Sequence, residues 1–178
     1  MHFSSSQAGE SATGPATLKA WLAVLSVSLG AFVVVTSEFL PIGLLTNIAD
    51  GLKISPGTAG LMVSIPGIVA AIAAPVMMIF AGKVDRRVLV LSLIALLAGS
   101  NVIAAVAPNF GVMLLARVLF GISLGGFWTI AVTLGGRLVP KSSMARATTI
   151  IMAGISIATV AGVPVGKVIA DFSSWRIA

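Results

Sequence analysis

The chain has 178 residues, 58% of them hydrophobic and only 9% charged, with a mean hydropathy of +1.12. A soluble domain carries about 25% charged residues, so this composition describes an integral membrane protein. Cysteine is absent and the single histidine is His2, which excludes disulfide and thiol chemistry and leaves no histidine for a metal site or a catalytic triad inside a span.

Residues 1–17 are rich in Ser, Gly and Ala, lack apolar periodicity, and read as a disordered cytoplasmic tail. A basic n-region is missing, and the apolar run that follows is too long for a signal peptide. Residues 18–178 then read as one transmembrane unit. Its apolar stretches cover about 20–45, 59–81, 88–107, 112–134 and 148–170, each near the ~20 residues that a spanning helix needs. These are spans one to five. The run from Ser174 to Ala178 reads as the entrance to a sixth span. Trp21 and Trp175, near span ends, suit the membrane–water interface.

The connections alternate in charge. Lys19 precedes span one, Lys83, Arg86 and Arg87 lie between spans two and three, and Arg137, Lys141 and Arg146 lie between spans four and five. The opposite loops hold Lys53, Lys167 and Arg176. Seven basic residues against three place the N-terminus in the cytoplasm. Orientation thus accounts for the net charge of +6 and the pI near 11.0. The expected partner is the lipid bilayer, not nucleic acid.

Pro41, Pro66, Pro75 and Pro164 interrupt the spans, and the carbonyls they free must find other donors. Gly121 with Gly125 on span four, and Gly162 with Gly166 on span five, are small-xxx-small pairs that allow close helix approach. Bent, closely packed helices suit a protein that rocks between states. Plain helix packing explains each single Gly or Pro as well.

Two charges lie deep in spans, Glu38 on span one and Arg117 on span four. Such a charge costs roughly 2.5–3.5 kcal/mol on insertion scales. At ~1.5 Å per residue, Arg117 lies roughly 10 Å from the start of span four and Glu38 roughly 10 Å before the end of span one. The two share a depth, and an ion pair between them is expected. Pairing would let Arg117 hold Glu38 ionised until a proton or a substrate competes. One reading is a permanent pair that fixes helix packing. The other is a protonation switch, which the solitary acid and its flanking Pro41 and Gly43 favour. Thr36 and Ser37 are candidates to line the same cavity, although hydroxyls also bond back to their own helix. Phe127 and Trp128, after Gly125 and Gly126, read either as packing or as a platform for a flat substrate.

Several segments together resemble the major facilitator superfamily, and within it the bacterial drug:proton antiporter branch with twelve spans. Ser37-Glu38-Phe39-Leu40-Pro41-Ile42-Gly43 resembles the span-one signature of that branch. Arg117 through Gly121 resembles the span-four motif R-x-x-Q-G, with Phe120 in place of the glutamine. Gly154 through Gly162, Pro164 and Gly166 resembles the span-five antiporter motif, with Val163 between the glycine and the proline. Asp85-Arg86-Arg87 resembles a shortened form of the loop motif between spans two and three. The segments Leu124-Gly125-Gly126-Phe127-Trp128 and Arg137-Leu138-Val139-Pro140 look most like purine ribonucleoside efflux transporters, with sugar and multidrug exporters close behind.

The resemblance implies an all-α fold of two six-helix halves with substrate bound between them. This chain would supply the N-terminal half, five spans and the start of a sixth, and the C-terminal half would be its partner. It implies proton-coupled efflux of small organic solutes such as nucleosides, sugars or drugs across a bacterial inner membrane, with no cofactor beyond the coupling proton. Glu38 and Arg117 would couple the proton, Thr36, Ser37, Phe127 and Trp128 would line the cavity, and Asp85, Arg86 and Arg87 would gate the cytoplasmic face. Gly154, Gly162, Pro164 and Gly166 would form a hinge. The rival reading is a non-transporting fragment of such a transporter. A membrane protease is disfavoured, because the spans lack the histidine, the H-E-x-x-H motif and the second acid that the known chemistries need.

Overall fold

The computed structural model describes residues 17–80, 85–135 and 139–176, and every regular element among them is helical. In chain order these are α1 (Leu18–Gly43), α2 (Leu45–Leu52), the single turn α3 (Pro56–Ala59), α4 (Leu61–Phe80), α5 (Arg86–Ala105), α6 (Phe110–Gly135), α7 (Met144–Ile157) and α8 (Val163–Phe172). A 3-10 turn at Lys141–Ser143 leads into α7, and a π-helical stretch at Ala158–Gly162 joins α7 to α8. Among the described residues, five helical units are long and apolar enough to cross a membrane. They are α1, α3 with α4, α5, α6, and the rod from α7 to α8. The all-α membrane class read from the sequence is the class observed. Residues 1–16 of the expected tail, and Ile177 and Ala178 of the expected sixth span, lie outside the described residues.

Helix starts follow from local side chains. The Thr17 hydroxyl accepts from the Ala20 amide at 3.3 Å, the Ser55 hydroxyl from the Thr58 amide at 3.1 Å, and the Asn109 carboxamide from the Val112 amide at 3.0 Å. Each satisfies an N–H that the first helical turn leaves unpaired. α1 stops at Gly43, and α2 follows as a short amphipathic helix whose Ile48 and Ala49 are buried. The expected span one, about 20–45, ends where α2 begins, so α2 is a helix in what the sequence reads as a loop.

Two small-residue seams hold the bundle. Gly121 and Gly125 of α6 lie directly on the backbone of Pro66 and Ala70 in α4. Gly154, Ala158, Gly162 and Gly166 recur every fourth residue along span five, all buried. The three glycines face Ser28, Thr36 and Leu40 of α1. Residues four apart share a helix face, so the stripe lets α1 and span five approach closely. Ser28 adds a bond across the seam, its hydroxyl donating to the Ile150 carbonyl at 2.8 Å. A Cβ at Gly154 would stand 2.5 Å from the Ser28 hydroxyl and 2.6 Å from its carbonyl oxygen. Gly154→Leu is therefore expected to cost at least ~1–3 kcal/mol of overpacking, read as a lowered unfolding temperature of the purified protein in detergent.

The core lies in three clusters along the bundle. Val24, Val139 and Ala147 pack near the N-terminal end of α1. Val34, Leu97, Phe120 and Leu124 pack at its middle. Leu44, Ile48, Met62, Ala104 and Met113 pack at the distal end, where Trp175 joins them. Between the middle and distal clusters lies the polar part of the bundle.

Candidate functional site

A proline creates the site. Pro41 has no N–H to give to the carbonyl four residues earlier, which is that of Ser37. A buried carbonyl needs another donor. Arg117 of α6 supplies it, with Nη1 at 3.2 Å from the Ser37 oxygen. The Ser37 hydroxyl accepts from the Asn101 side-chain amide of α5 at 3.1 Å. One residue of α1 is thereby tied to both α5 and α6.

Arg117 is only 7% exposed. Its guanidinium carbon sits 5.4 Å from the ring centre of Phe120, a side chain 1% exposed. The aromatic face offers the cation an electrostatic partner. The Arg117 Nε is buried without a hydrogen-bond partner, as is the Thr36 hydroxyl. Both residues line a cavity of about 450 Å³ between α1, α5 and α6, together with Ser37, Asn101, Trp175 and Arg176. At its rim, Arg176 donates from Nη1 to the Ala105 and Ala107 carbonyls at 2.9 and 2.8 Å. A cation there satisfies the carbonyls that the end of α5 leaves open.

The expected ion pair between Glu38 and Arg117 is not formed. No salt bridge joins them; Arg117 holds the neighbouring backbone carbonyl instead. Successive residues of a helix are turned by about 100°, so Ser37 and Glu38 point to different sides of α1. Glu38 is half-buried and absent from the cavity wall, whereas Ser37, Leu40 and Pro41 belong to it. Equal depth did not imply equal direction, and the freed carbonyl is the nearer acceptor.

The other candidates divide. Thr36 and Ser37 share the cavity with Arg117. Phe127 and Trp128 do not: Phe127 lines a separate, almost wholly apolar cavity of about 170 Å³ with Val27, Val34 and Leu93. Its ring packs on Gly30 and meets Trp128 edge to face at 5.6 Å. Asp85 is exposed just before α5, its carbonyl accepting from the Leu89 amide at 3.0 Å. Arg86 and Arg87 open α5, and their side chains lie outside the described residues. Gly154, Gly162 and Gly166 form the α1 seam, and Pro164 follows the π-helical stretch at the start of α8. Sequence reading overlooked Asn101 and Arg176. The signal for Asn101 was a carboxamide in the otherwise apolar last turns of span three.

A family model described as Major Facilitator Superfamily matches residues 27–178. The chain is also 38% identical over 156 residues to a Pseudomonas aeruginosa protein named transcription regulatory protein OpdE. That alignment covers 88% of this chain and 39% of the relative, so the chain spans well under half the length of the curated protein it matches.

Proposed function

The chain belongs to the major facilitator superfamily, and from that premise we propose that it forms the N-terminal half of a proton-coupled exporter of small organic solutes. The C-terminal half is its partner in this reading, the N-terminus faces the cytoplasm, and the membrane is a bacterial inner membrane. Nucleosides, sugars and drugs are the solute classes to which its motifs are most similar.

The observation that carries the reading is the arginine held by a proline-freed carbonyl one residue from the only acid of span one. In this reading Arg117 alternates between two acceptors on α1, the Ser37 carbonyl that it holds here and the Glu38 carboxylate. Neutral Glu38 leaves Arg117 on the carbonyl. Ionised Glu38 draws the guanidinium, because a charge-assisted bond is roughly twice as strong as a neutral one. To present Glu38 to Arg117, α1 must turn against α5 and α6, and the glycine stripe of span five is the surface on which it turns. Proton binding thereby selects between two ways of holding α1. Asp85 with Arg86 and Arg87 acts at the cytoplasmic end, and Phe127 with Trp128 lies toward the same side.

Cells expressing the complete gene product should accumulate less of at least one labelled solute from a panel of nucleosides, sugars and drugs. A protonophore should restore accumulation. Accumulation unaffected by expression across all three classes would sink the transport reading.

A further inference from the structure

Ser28 and Thr36 of α1 meet span five in the same register, yet only Ser28 is bonded to it. Ser28 faces Gly154, and its hydroxyl donates to the carbonyl four residues before that glycine, Ile150, at 2.8 Å. Thr36 faces Gly162, with its hydroxyl oxygen 3.0 Å from a Cβ placed there. The matching acceptor is the Ala158 carbonyl, but the Thr36 hydroxyl is buried without a partner. Leaving a buried hydroxyl unbonded is costly. Both sides of this seam lie wholly within the described residues, which already enclose the Thr36 oxygen.

The two places differ in helix form. Ile150 lies within α7, whereas Ala158 opens the π-helical stretch Ala158–Gly162. A π turn closes i→i+5 bonds and so holds more residues than an α turn. The Thr159 hydroxyl donates to the Ile155 and Ser156 carbonyls at 3.1 and 3.0 Å where the bonding pattern changes, and Pro164 has no N–H for the carbonyls behind it. At about 100° per residue, a continuous α-helix would carry Gly166 about 120° out of line with Gly154. The wider turn takes up that drift and keeps Gly166 against Leu40.

We propose that Ala158–Gly162 is a two-state joint, alternating between this π form and a continuous α form in which Thr36 donates to the Ala158 carbonyl. The α form turns α8 by one residue, about 100°. Val165, exposed here, then takes the place of Gly166 opposite Leu40. A Cβ at that place meets the Leu40 side chain, so the distal ends of α1 and α8 part. The π form closes the distal seam and leaves one hydroxyl unbonded; the α form opens the seam and bonds it. The exchange is a property of this seam and uses neither Glu38 nor Arg117.

The test uses the complete gene product in a non-ionic detergent, with nitroxides on Gly57→Cys and Phe172→Cys. Both positions are exposed at the distal end of the bundle, on α3 and at the end of α8. Double electron–electron resonance should give two distances, because a turn of about 100° on a helix about 10–12 Å wide moves its side chains by roughly 8 Å. Thr36→Val keeps the shape and removes the hydroxyl, so it should lower the share of the second distance about fivefold. Thr36→Ser should retain it. Deleting Val160 removes the extra residue of the π turn, so an α-helix joins both flanks unshifted and only the first distance should remain. Melting is a second readout. Ser28→Ala breaks a bond that is made and should lower the unfolding temperature; Thr36→Val should not. A single distance in the native protein, two distances unchanged by Thr36→Val, or Thr36→Val melting as low as Ser28→Ala would overturn the proposal. Two distances that persist in Glu38→Gln while export is lost leave the joint standing. Export with a single distance removes the joint and leaves the exporter standing.

Discussion

Replacing Glu38 with Gln is expected to abolish uphill export while leaving the bundle folded. Glutamine keeps the size of the side chain but takes no charge at any pH, so α1 has only the Ser37 carbonyl to offer Arg117. The bond that holds the present conformation, Arg117 Nη1 to the Ser37 oxygen at 3.2 Å, does not involve the Glu38 side chain. Stability should change little for that reason. Coupling should vanish. One proton falling through 100 mV supplies about 2.3 kcal/mol, which sustains a roughly forty-fold gradient of a neutral solute when each tenfold requires about 1.4 kcal/mol. In proteoliposomes that ratio should collapse to one in Glu38→Gln, with downhill exchange persisting. Glu38→Asp should retain part of the gradient, since the shorter acid still titrates. An uphill gradient equal to that of the native protein in Glu38→Gln means the acid is not the coupling site.

Gly125→Val is expected to be the most damaging single change to the fold. A Cβ at Gly125 would stand 2.7 Å from the Ala70 carbonyl oxygen and 3.1 Å from both the Ala70 Cα and the Ala74 nitrogen. All three are backbone atoms of α4, so no rotamer can relieve the clash. The neighbouring Gly121 meets the Pro66 carbonyl oxygen and the Val69 Cβ, both at 2.8 Å. Overpacking ordinarily costs about 1–3 kcal/mol, and an obstruction by helix backbone belongs at or above the upper end. The readout is the yield of monodisperse protein and its unfolding temperature in detergent, with Gly99→Ala as control because nothing lies within 4 Å of a Cβ placed there. Native-like yield and melting of Gly125→Val would mean that α4 and α6 do not approach as described.

The spans were legible because a run of about 20 apolar residues has few alternatives in a chain of this composition. Helix seams were legible in part, since glycines four apart mark a face. What hydropathy did not show was α2: span one was bounded at about residue 45, and Thr46, Asn47, Asp50 and Gly51 make the helix that follows read as a loop. At the site, depth was legible and direction was not. Glu38 and Arg117 lie level, yet the turn from Ser37 to Glu38 carries the carboxylate away from the cavity. The missing step was to follow Pro41 back to the carbonyl it frees, which identifies Ser37 as an acceptor in search of a donor. Phe120 likewise acquires meaning only once Arg117 is seen beside its ring. Arg176, read as a loop cation, closes the end of α5 through two carbonyls.

Proton movement is the most direct test of Glu38 as the coupling site. The complete gene product, native or carrying Glu38→Gln, is reconstituted in vesicles that contain a pH-sensitive dye. A gradient of the exported solute is then imposed without a pH gradient. The native protein should move protons against the solute flux, and Glu38→Gln should pass solute with no dye response. A dye response of equal size and rate in both proteins would contradict the role assigned to Glu38.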